Sequence, residues 1–254
     1  MIKYNISFQN PHKHFIDFSL TVSTNGEKNL YFQLPAWRPG RYELGNFSQN
    51  IYSWKAFNHK NESLNFKKIN KDLWQVKCEE EKKITISYSF YANQLDAGSC
   101  YLDEKQLYIN PVHCIFYIPE RLNEKYELNL DIPDDYIIAT SLEKNKKLLI
   151  GNNFDEIAES PIICSNTIKH DVYKVNNINF HLWFQGPCNI DWNKIKSDFI
   201  SFTQTQINHF DSFPVDEYHF FFQITPYASY HGVEHTKNTV ILLGPGDEIM
   251  NKKY

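Results

Sequence analysis

The chain has 254 residues, of which 42% are apolar and 22% charged, with a formal net charge of −4. Those proportions are ordinary for a globular protein, the length exceeds the usual single domain, and the charge balance excludes a strongly basic nucleic-acid or anionic-membrane surface. No apolar stretch approaches the ~20 residues of a membrane span.

In chain order, the first two-thirds alternate. Ile2, Tyr4, Ile6 and Phe8 share one face of a predicted strand, followed by Ile16, Phe18, Leu20 and Val22, then Leu30, Phe32 and Leu34. Trp74, Val76 and Cys78 continue the pattern, then Ile84, Ile86, Tyr88 and Phe90, then Tyr126, Leu128, Leu130 and Ile132. Turn chemistry punctuates them at Asn25-Gly26, Pro39-Gly40, Ala97-Gly98 and Pro133-Asp134. An aromatic content of 16% suits half-buried pleated surfaces. The fold expected is mainly β: an antiparallel sandwich over residues 1–165, with no helical segment before Pro161.

After Pro161 the period changes. A strand from Ile178 to Phe184 precedes a helix from Asp191 to Phe210, with Asp191 as N-cap and Trp192, Ile195, Phe199, Phe202 and Phe210 mostly at helical spacing on one face. A buried strand, Tyr218 to Ile224, a polar loop holding His231 to His235, and a strand from Thr239 to Leu243 complete residues 166–254. This is the expected start of an α+β unit.

Met1 runs straight into the first strand, and the five cysteines (Cys78, Cys100, Cys114, Cys164, Cys188) lack any C-x-x-C spacing. The expectation is reduced, buried thiols in a cytoplasmic protein, although a leader removed beforehand would leave the same start.

The densest cluster of functional residue types is Tyr230-His231-Gly232-Val233-Glu234-His235. As H-x-x-E-H it would be an inverted zincin site, which requires both histidines on one helical face. Gly232, the β-branched Val233 and the strand-favouring residues after Thr236 oppose that helix. A hairpin turn with solvated polar residues is the structural alternative.

Five ordered patches carry a resemblance. They are Leu34-Pro35-Ala36-Trp37-Arg38-Pro39-Gly40-Arg41-Tyr42 with Phe47; Tyr88 to Ala92 with Tyr101-Leu102-Asp103 and Asn110; Asn153 to Glu156 with Ser160-Pro161-Ile162; Tyr218-His219-Phe220; and Gly232 to His235. Together they resemble the glycyl aminopeptidase family of zinc peptidases. The resemblance implies a thermolysin-like domain beginning after the sandwich, and a peptide with a free N-terminus as partner. Glu234 would hold the substrate ammonium and Gly232 and Val233 would align its backbone, with His235 beside them and Tyr101 approaching the cleft. Asp155 and Glu156 would make the domain junction.

Two departures stand out. His231 replaces the first Gly of the family's Gly-Gly-x-Glu-His, and no histidine here is followed by Glu, so the His-Glu-x-x-His zinc helix is absent. Zinc is therefore expected in the parent enzyme and not in this chain, which carries no catalytic or metal-binding residues of its own. The expectation is of an inactive, truncated catalytic domain whose uncovered apolar surface favours self-association. The alternative from another class is a β-sandwich module binding peptide or carbohydrate, which exposed, coplanar Trp37 and Trp54 would favour.

Overall fold

The computed structural model describes residues 1–41 and 43–249. Its strands are β1 (Ile2–Ser7), β2 (Phe15–Ser23), β3 (Asn29–Gln33), β4 (Ile51–Asn58), β5 (Phe66–Lys68), β6 (Leu73–Lys77), β7 (Lys83–Tyr91), β8 (Tyr101–Leu102), β9 (Leu107–Ile109) and β10 (Tyr126–Asp131). There follow β11 (Ile137–Ala139), β12 (Glu143–Asn145), β13 (Leu148–Gly151), β14 (Ile162–Ser165), β15 (Lys169–Val175), β16 (Ile178–Gln185), β17 (Glu217–Ile224), β18 (Ser229–Glu234) and β19 (Asn238–Gly244). The helices are α1 (Pro111–Cys114), α2 (Phe154–Ala158) and α3 (Trp192–Phe210).

A seven-stranded sheet runs β12-β13-β10-β1-β2-β7-β4 and a three-stranded one β3-β6-β5. Period-two patterning puts Ile16, Phe18, Leu20 and Val22 of β2 on the inner face, in register with Phe90, Tyr88, Ile86 and Ile84 of β7. From the facing sheet Trp74 stacks on Trp54 of β4 at 6.0 Å and meets Phe116 edge-on at 5.1 Å. The segment through Phe116 is pinned by two buried phenols. Tyr4 accepts from the Phe116 N–H at 2.9 Å, and Tyr88 donates to the Cys114 carbonyl at 2.5 Å. Both tyrosines thus satisfy backbone groups that burial would otherwise strand.

The expected mainly β fold is present, with refinements. β1 pairs with β10 in parallel, whereas its partner β2 is antiparallel. A further sheet, β11-β14-β9-β8, lies within the same chain segment. Two short helices, α1 and α2, interrupt a stretch expected to have none. Asn153 caps α2, its side chain accepting from the Glu156 N–H at 2.8 Å.

The remaining strands form a mixed sheet, β15-β16-β17-β19-β18. One face is covered by α3, capped by Asp191, whose carboxylate accepts from the Lys194 N–H at 3.0 Å. Trp192, Ile195 and Phe199 pack on that sheet as expected, continued by buried Thr203 and Ile207. Phe202 and Phe210 are 47% and 67% exposed, Phe202 reaching the sheet only through Phe220, edge-on at 6.4 Å. A stripe stepping four residues at a time through 199, 203 and 207 leaves Phe202 on its flank and Phe210 beyond its end. No helix among the described residues is long and apolar enough to cross a membrane. Four of the five cysteines are buried and Cys188 is half-buried; all are free thiols.

His113, on α1, lies buried against the Phe47 ring at 3.9 Å. Burial, then the positive charges of Arg38 and Arg41, push its imidazole from 6.5 down to about 3. The folded protein holds the ring neutral while the unfolded chain takes up a proton, so this contribution is complete above pH 6.5 and is lost as pH falls toward about 3. Urea unfolding at pH 7 and again at about 4.5 should show His113→Phe losing less stability on acidification than the wild type, by about 2 kcal/mol.

Candidate functional site

β18 is the edge strand of the mixed sheet, antiparallel to β19 with Gly232 opposite Ile241 and Glu234 opposite Thr239. The segment expected as a polar loop is therefore a strand. Its β-branched Val233 is buried against Val240, Phe221 and Trp183, and that cluster includes Ala97, Tyr108 and Ile163 from the preceding sheets. Apolar burial on one face holds the strand extended, and an extended chain separates His231 and His235 by about 13 Å. His231 is exposed, whereas the His235 side chain is 4% exposed. The pair cannot act as the i, i+4 ligands of a zincin helix, and the inverted-zincin arrangement is absent. Nor do these strand residues fit the catalytic zinc of the parent family, which needs a convergent set of ligands.

The turn after β18 is fastened to α2 and its flank. His235 Nδ1 lies 3.5 Å from Glu159 Oε2, which also accepts from the Thr236 N–H at 3.2 Å. Burial pushes the Glu159 carboxyl up, but His235 and the Thr236 amide outweigh it, leaving it below its ordinary value. Lys237 pairs with Glu156 at 3.0 Å. Fully buried Asn238 donates to Ser141 Oγ at 2.9 Å and to the Glu159 carbonyl at 3.0 Å. Glu156, Glu159, Thr236 and Lys237 line a cleft of about 340 Å³. A second, of about 450 Å³, runs past Trp37, Pro39 and Phe154 and shares Asp155 and Glu159 with the first.

Glu234 is exposed, and among the described residues no ion pair or hydrogen bond engages its carboxylate. It reaches the Pro39-Gly40 turn: a Cβ built on Gly40, whose φ is +76°, would lie 3.7 Å from Glu234 Oε1. Beneath that turn, buried Arg38 lies against Gly98, where a Cβ would fall 2.5 Å from Nη2. Gly232 faces open space, with nothing within 4 Å of a built Cβ. Tyr101 packs on the Val233 cluster, its ring 6.3 Å from His14, and burial followed by Asp103 raises its phenol. Tyr42 lies outside the described residues. Of the five tryptophans, Trp37 is 58% exposed while Trp54 is buried in the sandwich, so the coplanar pair expected of a carbohydrate surface is not formed.

A family model described as the peptidase M61 N-terminal domain matches residues 3–166. The chain belongs to that family. Among solved structures, this M61 chain is similar to an aminopeptidase N family protein from Idiomarina loihiensis, with 25% identity and a TM-score of 0.92 over 100% of this chain and 44% of that one. The M1 zinc metallopeptidase of Deinococcus radiodurans, in a form bound to a Tyr-Ser-Ala substrate, shares the fold at 9% identity and a TM-score of 0.54, over 99% of this chain and 60% of that one. The M61 chain thus spans 44% and 60% of these two relatives. No curated protein matches it.

Ser141, Glu159 and Asn238 were not singled out from the sequence. The one signal was an Asn opening an otherwise apolar strand, where it must find partners or stay in water. Replacing Asn238 by Ala should lower the unfolding free energy by about 1–3 kcal/mol, because it leaves the Ser141 hydroxyl and Glu159 carbonyl without this donor. Lys237→Ala, at a half-exposed ion pair, should cost less than about 1 kcal/mol in the same urea titration.

Proposed function

We propose that this chain forms the amine-recognising wall of a zinc aminopeptidase cleft. The carrying observation is an exposed carboxylate, Glu234, with no ion pair or hydrogen bond among the described residues, at the end of the edge strand β18. An ammonium supplies charge-assisted hydrogen bonds to such a carboxylate, and an internal peptide bond does not, so the site selects free N-termini. Backbone groups along β18 would pair with the peptide as an added strand, with Gly232 and Val233 setting its register. The open space at Gly232 permits close backbone approach, while His231 narrows the site on one side and favours small first residues such as Gly.

The zinc named for the M1 relatives would be held by residues other than these 254, which contain no His-Glu-x-x-His. When bound, it would activate water for attack on the first peptide bond. This chain's own part is to bind and orient the peptide; His235 and Glu159 hold the anchoring strand end in place and leave Glu234 free.

Calorimetric titration with a glycine-first tripeptide tests the reading. Glu234→Gln, or N-acetylation of the peptide, should weaken binding by about tenfold. Equal affinity in all three cases would contradict the assignment. The 254-residue chain alone should not hydrolyse glycyl or alanyl substrates, with or without added zinc. Zinc-dependent turnover abolished by His231→Ala would overturn that expectation.

A further inference from the structure

On the face of the mixed sheet opposite α3, a polar cluster interrupts the apolar surface. β17 contributes Glu217 and His219, two residues apart and so on the same face, and parallel β16 places His181 directly opposite His219. The two imidazoles stack at 4.4 Å. Glu217 straddles them, Oε2 lying 3.8 Å from His181 Nε2 and Oε1 3.7 Å from His219 Nε2. The three ligand atoms all lie within 4.8 Å of one another.

These separations are too long for hydrogen bonds and close to the spacing of about 3.4 Å between neighbouring ligands of a tetrahedral zinc ion. His219 is 4% exposed, and its Nε2 is buried without a hydrogen-bond partner. His181 has the support expected of a ligand: its Nδ1 lies 3.0 Å from His170 Nε2, so Nδ1 can carry the proton and leave Nε2 free to coordinate. Glu217 is half-exposed, its side chain 49% accessible, and gives an ion a route in from solvent. We propose that His181, Glu217 and His219 form a site for one divalent transition-metal ion.

The site contains its own competitor. The Trp183 indole N–H donates to His219 Nδ1 at 3.1 Å. An indole is a donor only, so the neutral His219 ring keeps its proton on Nε2, the atom the metal needs. Loading therefore breaks the Trp183 bond and moves that proton to Nδ1. Binding is weakened accordingly, and Trp183, also stacked on His170 at 3.6 Å, reports it.

Titration of the 254-residue chain with Zn²⁺ or Co²⁺, followed by Trp fluorescence, bound-metal analysis and the shift in melting temperature, tests the site. One equivalent should bind, change the fluorescence and raise the melting temperature. His181→Ala and Glu217→Gln should each weaken binding by roughly tenfold or more. Trp183→Phe, if folded by circular dichroism, should bind several-fold more tightly, an effect that general damage to the fold would not produce. Glu217 is at the surface, so Glu217→Gln tests the assignment even if Trp183→Phe fails to fold. Absence of binding, or binding unchanged by Glu217→Gln and His181→Ala, overturns the proposal.

Discussion

The side-chain amide of Asn238 governs how the mixed sheet meets the sandwich. Both of its donors are used, one on Ser141 and one on the Glu159 carbonyl, in a place where water does not reach. A buried amide tolerates very few positions, because any slip of the β18–β19 turn leaves those groups unpaired. Apolar contact through Val233, Phe221 and Tyr108 supplies area but little direction. The directional bonds at Asn238, with Glu159 on Thr236 and Glu156 on Lys237, fix the register in which that area is buried.

Glu234 stands two links away from this junction. Its neighbour His235 is buried beside Glu159, and strand alternation sends Glu234 to the opposite side of the chain, out to the free edge and the Gly40 turn. The same alternation that buries Val233 and His235 therefore exposes Glu234, the carboxylate proposed to meet an ammonium. A polar row lies on the other face, that of Val233 and His235: Asn238 pairs in register with His219, and His219 with His181. A sheet that is apolar at its centre is thus polar along one end, where the junction, the anchor and the histidine cluster all lie.

Much of the sandwich was legible because its strands keep strict period two, as in β2, β7 and β10. Where the period breaks, the sequence is silent. β4 carries a bulge between Tyr52 and Lys55, with Ser53 at φ 52°, which shifts Trp54 and Ala56 out of phase with Ile51. β15 was missed although Asn176-Asn177, at φ 48° and 67°, is a two-residue hairpin turn to β16. β18 looked like a loop because its outward residues are polar and its inward face holds a single large apolar residue, Val233; pairing with β19 makes it a strand. The proposed anchor, Glu234, stands out only through resemblance, since one exposed glutamate has no pattern of its own, and the residues fastening its strand lie about 80 to 100 positions away in sequence.

Glu234 is proposed as the carboxylate that a peptide's N-terminal ammonium finds. A crystal structure of this chain with a glycine-first tripeptide measures that contact directly. The ammonium should lie within hydrogen-bond distance of the Glu234 carboxylate, with the peptide backbone paired along the edge of β18. A peptide seated elsewhere, or along β18 with its ammonium turned away from Glu234, would contradict it.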